Sequence, residues 1–591
     1  MTPAAARLPA PRRRRDVGLA ARIATALAIV MPQAAAAFGF ELDEDWRGSW
    51  NTAIVAAAAW RAQSPDPQFV GFGNRNQFPG AFGQQNSADD SNLNFGKGDI
   101  VTAPVSIASE LELRYRDRFG AFGRVRAWDD LWLGHHGVPH GHVANGYVPG
   151  AKLDDSGFYN GNRFRGIKLQ DLFAWGNVDL GEARLTARVG KQVINWGESL
   201  LFPGFNAFNP LNLSAAGRPG SRIEDALTPL NRVYLNLLPV QGPSLEAFYD
   251  LAWTRSSLPP CGTFASPSDL GFDPSCNRYT PALGLPDRTV LDRGLVAQRT
   301  NAPDPGSGGQ WGLATRWFAE PIGTEFGLFY VRYHSANPML NAIKGTTELN
   351  SVIEVQYPRD VQAFALSAAT GMRNLALSAE LSFTRGLPAQ RNFVTVVQGL
   401  SGGGPYAAGV AATPVGGTFP GYIRVNRTQL LAGGTIDLGS VVGVSDASIT
   451  AEGNFQWVTN LPGTDQERIG RNPNFGTAAY DGQCQGGLNV CEVAGFATPF
   501  SWGYRILARM TVPNVASGVA LQPVAVFSQD VRGYSTNGEL LQGRWAAGLV
   551  LRVVYQRAMF IDFGRTWFRQ DTPFDPLRDR AVYTVLGGIT F

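Results

Sequence analysis

Apolar and polar residues take turns along this chain in one stretch after another. Trp50, Thr52, Ile54, Ala56, Ala58 and Trp60 share one face, with an aromatic ring at each end. Val105, Ile107, Leu111, Leu113 and Tyr115 form a second stripe, opposed by Ser106, Glu110, Glu112 and Arg114. Ala183, Leu185, Ala187 and Val189 oppose Arg184, Thr186 and Arg188, and Leu245, Ala247, Tyr249, Leu251 and Trp253 oppose Ser244, Glu246, Asp250 and Thr254. Leu375, Leu377, Ala379, Leu381 and Phe383 stand against Ser378, Glu380, Ser382 and Thr384. Ala447 to Trp457 gives the cleanest case, with Ser448, Thr450, Glu452, Asn454 and Gln456 between its apolar positions. Trp545, Ala547, Leu549, Leu551, Val553 and Tyr555 again carry rings at both ends, with Arg552 opposite. A period of two is that of a β-strand with two unlike faces.

The pattern predicts strands near 46–61, 101–116, 119–132, 164–180, 183–196, 232–240, 243–255, 309–319 and 323–334. Others follow near 358–371, 374–386, 422–439, 445–460, 501–513, 518–531, 543–557, 558–569 and 580–591. The segments 119–132 and 232–240 alternate least, and bacterial barrels close with even numbers, so the expectation is about sixteen strands, within a range of 14–18. A soluble sandwich also alternates, but its exposed face would not be evenly aliphatic with aromatic ends. No later segment is long enough for a spanning helix, which leaves a closed barrel as the one way for such a chain to cross a membrane. The fold class expected is therefore all-β, an antiparallel transmembrane barrel of the outer membrane.

The last strand agrees. Phe591, Ile589, Gly587, Val585, Tyr583 and Ala581 make an apolar face that runs to the end of the chain. It resembles the C-terminal recognition strand of bacterial outer-membrane barrels, which the barrel-assembly machinery reads. Composition fits: charged residues are 17 % and aromatics 11 %, with 16 Tyr and 14 Trp to mark two membrane–water interfaces. A net charge of +3 gives no reason to expect nucleic acid. At the amino terminus, the basic run Arg12–Arg15, the apolar Val17–Met31 and the small residues Ala34–Ala37 read as a signal peptide. The expected division is a signal peptide over 1–37 and one barrel domain over 38–591, located in the outer membrane of a Gram-negative bacterium.

Long segments rich in Gly, Pro, Asn and Ser separate the strands at 63–98, 134–163, 256–308 and 387–421, and would be extracellular loops. Four cysteines fall in such segments. Without Cys–His zinc spacing, and in an exported chain, they are expected to pair within their loops as Cys261–Cys276 and Cys484–Cys491. Four histidines, His135, His136, His140 and His142, crowd one loop, where a transition metal is weighed against an ordinary Gly- and His-rich surface. Catalysis is not expected. No serine sits in a GxSxG context, no Walker, Rossmann or zincin pattern is present, and no cofactor is implied.

The richest stretch runs from Val189 to Leu230. It places Phe202, Phe205 and Phe208 at three-residue spacing among Gly, Pro and Asn, after the strand that ends at Trp196. An aromatic cluster must be covered in water, so this loop either folds into the barrel or packs on its rim. Inside, Trp196, Glu198, Phe202, Phe205, Asn206, Phe208 and Asn209 would constrict or line a route. Glu110, Glu112, Arg114, Arg184, Arg188, Glu380, Glu452 and Arg552 are expected to face the lumen and keep it hydrated.

NLNFGKGDI (Asn92–Ile100), GKQVINWGESLLFPGFNAFNP (Gly190–Pro210) and SLEAFYDLAW (Ser244–Trp253) resemble the proteobacterial family catalogued as domain of unknown function thirteen-zero-two. That family is classed with outer-membrane barrels. The resemblance implies a part in moving hydrophobic small molecules or lipids across the envelope. It also implies a periplasmic partner and an inner-membrane exporter of the resistance–nodulation–division type. It assigns no catalytic residues. The reading that follows is a monomeric outer-membrane channel or transporter for a small, apolar molecule. A general porin, or a structural or adhesive barrel binding an external partner through its loops, is the alternative.

Overall fold

The computed structural model describes residues 38–83, 86–280, 284–440, 443–479 and 491–591. The predicted signal peptide and Cys484, with the Cys484–Cys491 pair, lie outside the described residues. Eighteen strands form the wall. The first six are β1 (Trp46–Arg61), β2 (Pro104–Tyr115), β3 (Phe119–Asp130), β4 (Arg165–Leu180), β5 (Ala183–Gln192) and β6 (Leu230–Leu238). Next come β7 (Ser244–Asp250), β8 (Trp311–Ala319), β9 (Thr324–Tyr333), β10 (Val361–Met372), β11 (Leu375–Gln390) and β12 (Tyr422–Asp437). The last six are β13 (Asp446–Val458), β14 (Phe500–Ala516), β15 (Val519–Arg532), β16 (Trp545–Tyr555), β17 (Met559–Phe568) and β18 (Val582–Thr590).

Each strand pairs antiparallel with its neighbour in sequence, and β18 returns to β1, with Ala53 opposite Thr590 through Arg61 opposite Val582. Closure removes the free edges that an open sheet this size would expose. The backbone of Phe591 exchanges two further bonds with Thr52, and a short strand, Phe38–Glu41, pairs with the remainder of the same edge of β1.

The strand count corrects the expectation of about sixteen, because both weakly patterned segments are in the wall. β3 alternates poorly because its outward positions include Ala121, Gly123 and Ala127, while Arg124 and Arg126 point inward. β6 turns Arg232 and Tyr234 inward, where both are buried, so its inner face does not read as wet. Elsewhere much of the predicted outward stripes is exposed, as at Ile107, Leu111, Leu245, Leu381, Ile449, Leu549, Tyr583 and Val585, while Ala56, Ala58, Ala581 and Ile589 of the same stripes are buried. Among the described residues no helix is long and apolar enough to cross a membrane.

One end of the barrel carries tight connections. Arg116–Asp117 (φ 45° and 53°) and Gln556–Arg557 (φ 48° and 61°) are left-handed pairs of the kind whose twist matches the flanking strands. The long connections all emerge at the other end. Parts of them form a second, five-stranded sheet in which Ala297–Asn301 and Val352–Gln356 run parallel.

Candidate functional site

The connection from β5 to β6, residues 193–229, does not stay with the other long loops. It enters the barrel, reaches β13 and β14 half the circumference away, and returns along β1 to β4. Two wall carboxylates hold its far end. Glu452 on β13 accepts the backbone N–H groups of Leu200 (2.9 Å), Leu201 (2.6 Å) and Phe202 (2.8 Å). Glu380 on β11 accepts those of Glu198 (3.1 Å) and Phe205 (2.7 Å). Both carboxylates are buried, and a buried charge is tolerated only with such partners.

Glycine makes the clasp around Glu380 feasible. Gly197 and Gly204 take φ of +82° and +56°, and a Cβ on Gly197 would stand 2.0 Å from Glu380 Oε2. Arg505 on β14 adds a bond from Nη1 to the Leu201 carbonyl (2.5 Å) and lies over the Phe202 ring at 4.0 Å. Nearer the entry, Arg316 on β8 reaches Glu198 (2.9 Å), Glu325 (3.0 Å) and Glu246 (3.3 Å). The return arm is fixed by Asp225, which pairs with Arg124 and Arg126 (2.9 Å each), and by Arg222 with Glu110.

The aromatic residues pack this loop onto the inner wall. Trp196 is 1 % exposed, gives its indole N–H to Glu246 (2.7 Å) and packs against Phe208, Phe248 and Phe329. Phe205 and Phe208 belong to the same cluster, while Phe202 is buried with Leu431 and Leu540. Asn206 and Asn209 work within the loop, on the Trp196 N–H (2.7 Å) and the Ile194 carbonyl (2.9 Å). The open lumen therefore meets the loop's other face, where Leu200, Ala207, Leu213, Ala216 and Ile223 are exposed.

The inner wall differs on the loop's two sides. Toward the tight turns lies a basin of about 510 Å³ lined by Glu112, Arg114, Trp175, Arg184, Arg188 and Asn236 among others. Its ions are satisfied locally, Glu112 with Arg114 (2.8 Å) and Asp179 with Arg184 (3.1 Å), and Arg188 covers the Tyr234 ring at 4.2 Å. Arg552, elsewhere on the turn side, is held by Asp562 (2.8 Å). Glu112, Arg114, Arg184 and Arg188 line this basin, whereas Glu380 and Glu452 are buried beneath the loop.

Toward the long loops lies a chamber of about 550 Å³, walled by Leu133, Phe164, Pro260, Phe264, Phe568 and Val582 with the loop residues Ser214 and Ala216 to Pro219. Three charged groups reach it. Asp130 is used up by the N–H groups of Ala103, Trp132 and Leu133 and by the Thr102 hydroxyl. Arg580 is used up by the Phe264 carbonyl (2.9 Å), Ser91 (2.7 Å) and Asp579 (3.2 Å). Arg218 stacks over Trp128 at 5.0 Å and gives Nη2 to the carbonyls of Gly161 and Arg163. Among the described residues it forms no ion pair. Spacing in the sequence does not reveal this chamber, because its walls come from separate loops and from both ends of the chain.

Cys261 and Cys276 form a disulfide with Cα atoms 6.1 Å apart. The four clustered histidines part company. His135 is exposed, and His136 stacks on Trp132 at 3.9 Å. His142 lies beside Cys261, accepts the Asp154 N–H (2.9 Å), and burial pushes it down to about 4. Only His140 is brought among carboxylates.

Residues 18–591 match the family described as "Protein of unknown function (DUF1302)". No curated protein matches. Among solved structures, the chain is similar to OccAB4 of Acinetobacter baumannii, at 9 % identity over 93 % of this chain and 98 % of that one, with a TM-score of 0.40. OpdK of Pseudomonas aeruginosa, crystallised with vanillate, gives 10 % identity, 92 % and 98 % coverage and 0.39. The outer-membrane channel DcaP of A. baumannii gives 7 %, 94 % and 99 %, and 0.36.

Proposed function

Since the chain belongs to the DUF1302 family, whose description assigns no activity, we propose from the barrel's own interior that it is an outer-membrane channel for small apolar molecules bearing an anionic group. A closed antiparallel barrel with exposed aliphatic residues around its outside suits a bilayer, because every backbone group is paired and the outward surface needs apolar cover. The observation that carries the reading is the unlike pair of spaces on the two sides of the inward loop. A solute would enter the apolar chamber first, leaving water for contact with Leu133, Phe164, Phe264 and Phe568. Its anionic end would meet Arg218, which has a guanidinium to offer and no carboxylate to satisfy it. The chamber's volume falls within the range of small-molecule sites. Passage past the loop then leads into a polar basin, where an apolar body is less well held and release is favoured.

Uptake into liposomes holding the purified protein tests this. A medium-chain fatty acid should enter faster than a neutral sugar of similar size, and Arg218→Gln should erase most of that preference. Equal passage of both, unaltered in the variant, would overturn the reading in favour of a general porin.

A further inference from the structure

Four aspartates lie buried together outside the lumen, where three loops meet. Asp89 and Asp90 come from the β1–β2 loop, and Asp269 and Asp287 from the β7–β8 loop. The β2–β3 turn is not involved, but the β3–β4 loop adds His140, 1 % exposed. Among the described residues none of the four pairs with Lys or Arg. Asp90 is fully buried, and neither of its carboxylate oxygens has a hydrogen-bond partner.

His140 supplies an observation independent of the acids. Its Nδ1 lies 2.7 Å from Gln77 Oε1, which can only accept, so the proton sits on Nδ1. Nε2 is thereby left with a lone pair, and it is buried with no hydrogen-bond partner. It is aimed at Asp90 Oδ1 (3.3 Å) and Asp287 Oδ2 (3.4 Å). A lone pair facing two carboxylates is repulsive unless a proton or a metal cation stands between them. A hydrogen bond between them, whichever partner brought the proton, would draw in to about 2.7–2.9 Å. For bonds of about 2.0–2.1 Å, the edge of a tetrahedron is about 3.3–3.4 Å, which the two observed separations match. The Asn74 side-chain amide bonds Asp287 (2.5 Å) and Asp89 (2.8 Å), and Gln77 orients the imidazole, as outer groups do around a metal.

We propose that Asp90, His140 and Asp287 bind one divalent transition ion, with zinc as the best fit to one nitrogen and two carboxylates, and that this ion ties the three loops together over the barrel's mouth. Asp89 and Asp269 lie against Asp90 and add negative charge to the site. Neutral imidazole disfavours calcium and magnesium, which take oxygen ligands.

Full-length protein purified in detergent, stripped with a chelator and titrated with zinc chloride alone, decides the matter. The expected result is one tightly held zinc per chain, weakened at least tenfold by His140→Ala and by Asp90→Asn, and unchanged by His135→Ala with His136→Ala. Gln77→Leu, which removes no ligand, should weaken binding by roughly tenfold and still reports if a ligand variant does not fold. Absence of a stoichiometric zinc in the wild-type protein would overturn the proposal. So would zinc that survives both ligand variants and is lost with His135 and His136, or calcium bound in place of zinc.

Discussion

The two spaces inside this barrel are walled by the same kind of strand and yet differ in character. On the turn side, the basin is lined by strand residues that the alternation places inward, Glu112, Arg114, Arg184, Arg188 and Asn236 among them, and by the turn residue Asp117. On the loop side, long connections fold over the strands and bring Leu133, Phe164, Pro260 and Phe264 inward. A barrel's polarity is therefore not one property of its inner face. Strands set it where connections are short, and loops reset it where they are long. The 193–229 loop lies between the two spaces, and in the proposed channel what it separates would decide which solutes gain by entering.

The largest effect should come from removing that partition. Glu452 and Glu380 together accept five backbone N–H groups, each bond to a charged group being worth on the order of 2 kcal/mol. Glu380→Ala with Glu452→Ala should free the loop and raise single-channel conductance several-fold, while the eighteen-strand wall still assembles. A folded double variant with unchanged conductance would show that the loop is not the barrier.

Filling one space alone should cost less. Ala265→Trp projects into the chamber, and uptake of the fatty acid should fall by about tenfold, the loss of roughly 1.4 kcal/mol of favourable contact. Conductance to small ions should change far less. Arg184→Glu with Arg188→Glu does the reverse: the basin's field changes sign, and the cation-to-anion permeability ratio should rise a few-fold at low salt and converge at high salt. Fatty-acid uptake that followed the basin variant and ignored the chamber variant would invert the assignment of the two spaces.

The outward stripes were legible because most strands repeat the same two-residue rule against the same surroundings. β3 escaped it through small outward residues, and β6 through a buried inner face. The partition was half legible. Phe202, Phe205 and Phe208 announced a cluster needing cover, but nothing in the spacing ties Gly197 to Glu380 or Leu201 to Glu452, since those contacts cross the lumen. The signal that could have found them is the lone acid on the inner face of an otherwise small or neutral stretch, as at Glu380 among Ser378, Ser382 and Thr384. The acid–histidine cluster was the least legible. Counting histidines drew notice to His135, His136, His140 and His142; of these His140 alone lies among carboxylates, and those aspartates are spread over two other loops.

The smallest effect concerns the disulfide, which stands beside the chamber and not in the wall. Cys261 and Cys276 are 15 residues apart, and closing a loop that size removes about 3 kcal/mol of chain entropy from the open state. That stabilisation is local: eighteen paired strands hold the barrel without it. The segment it closes nevertheless carries Phe264 and Ala265 into the chamber and Asp269 into the acid cluster. Cys261→Ser with Cys276→Ser should thus leave heat-modifiable migration unchanged and speed protease cleavage between the two positions. Fatty-acid uptake should drop modestly, while ion selectivity, set in the basin, stays as it was. If selectivity shifted as well, the two spaces would be coupled through the loops and the partition would not be the boundary between them.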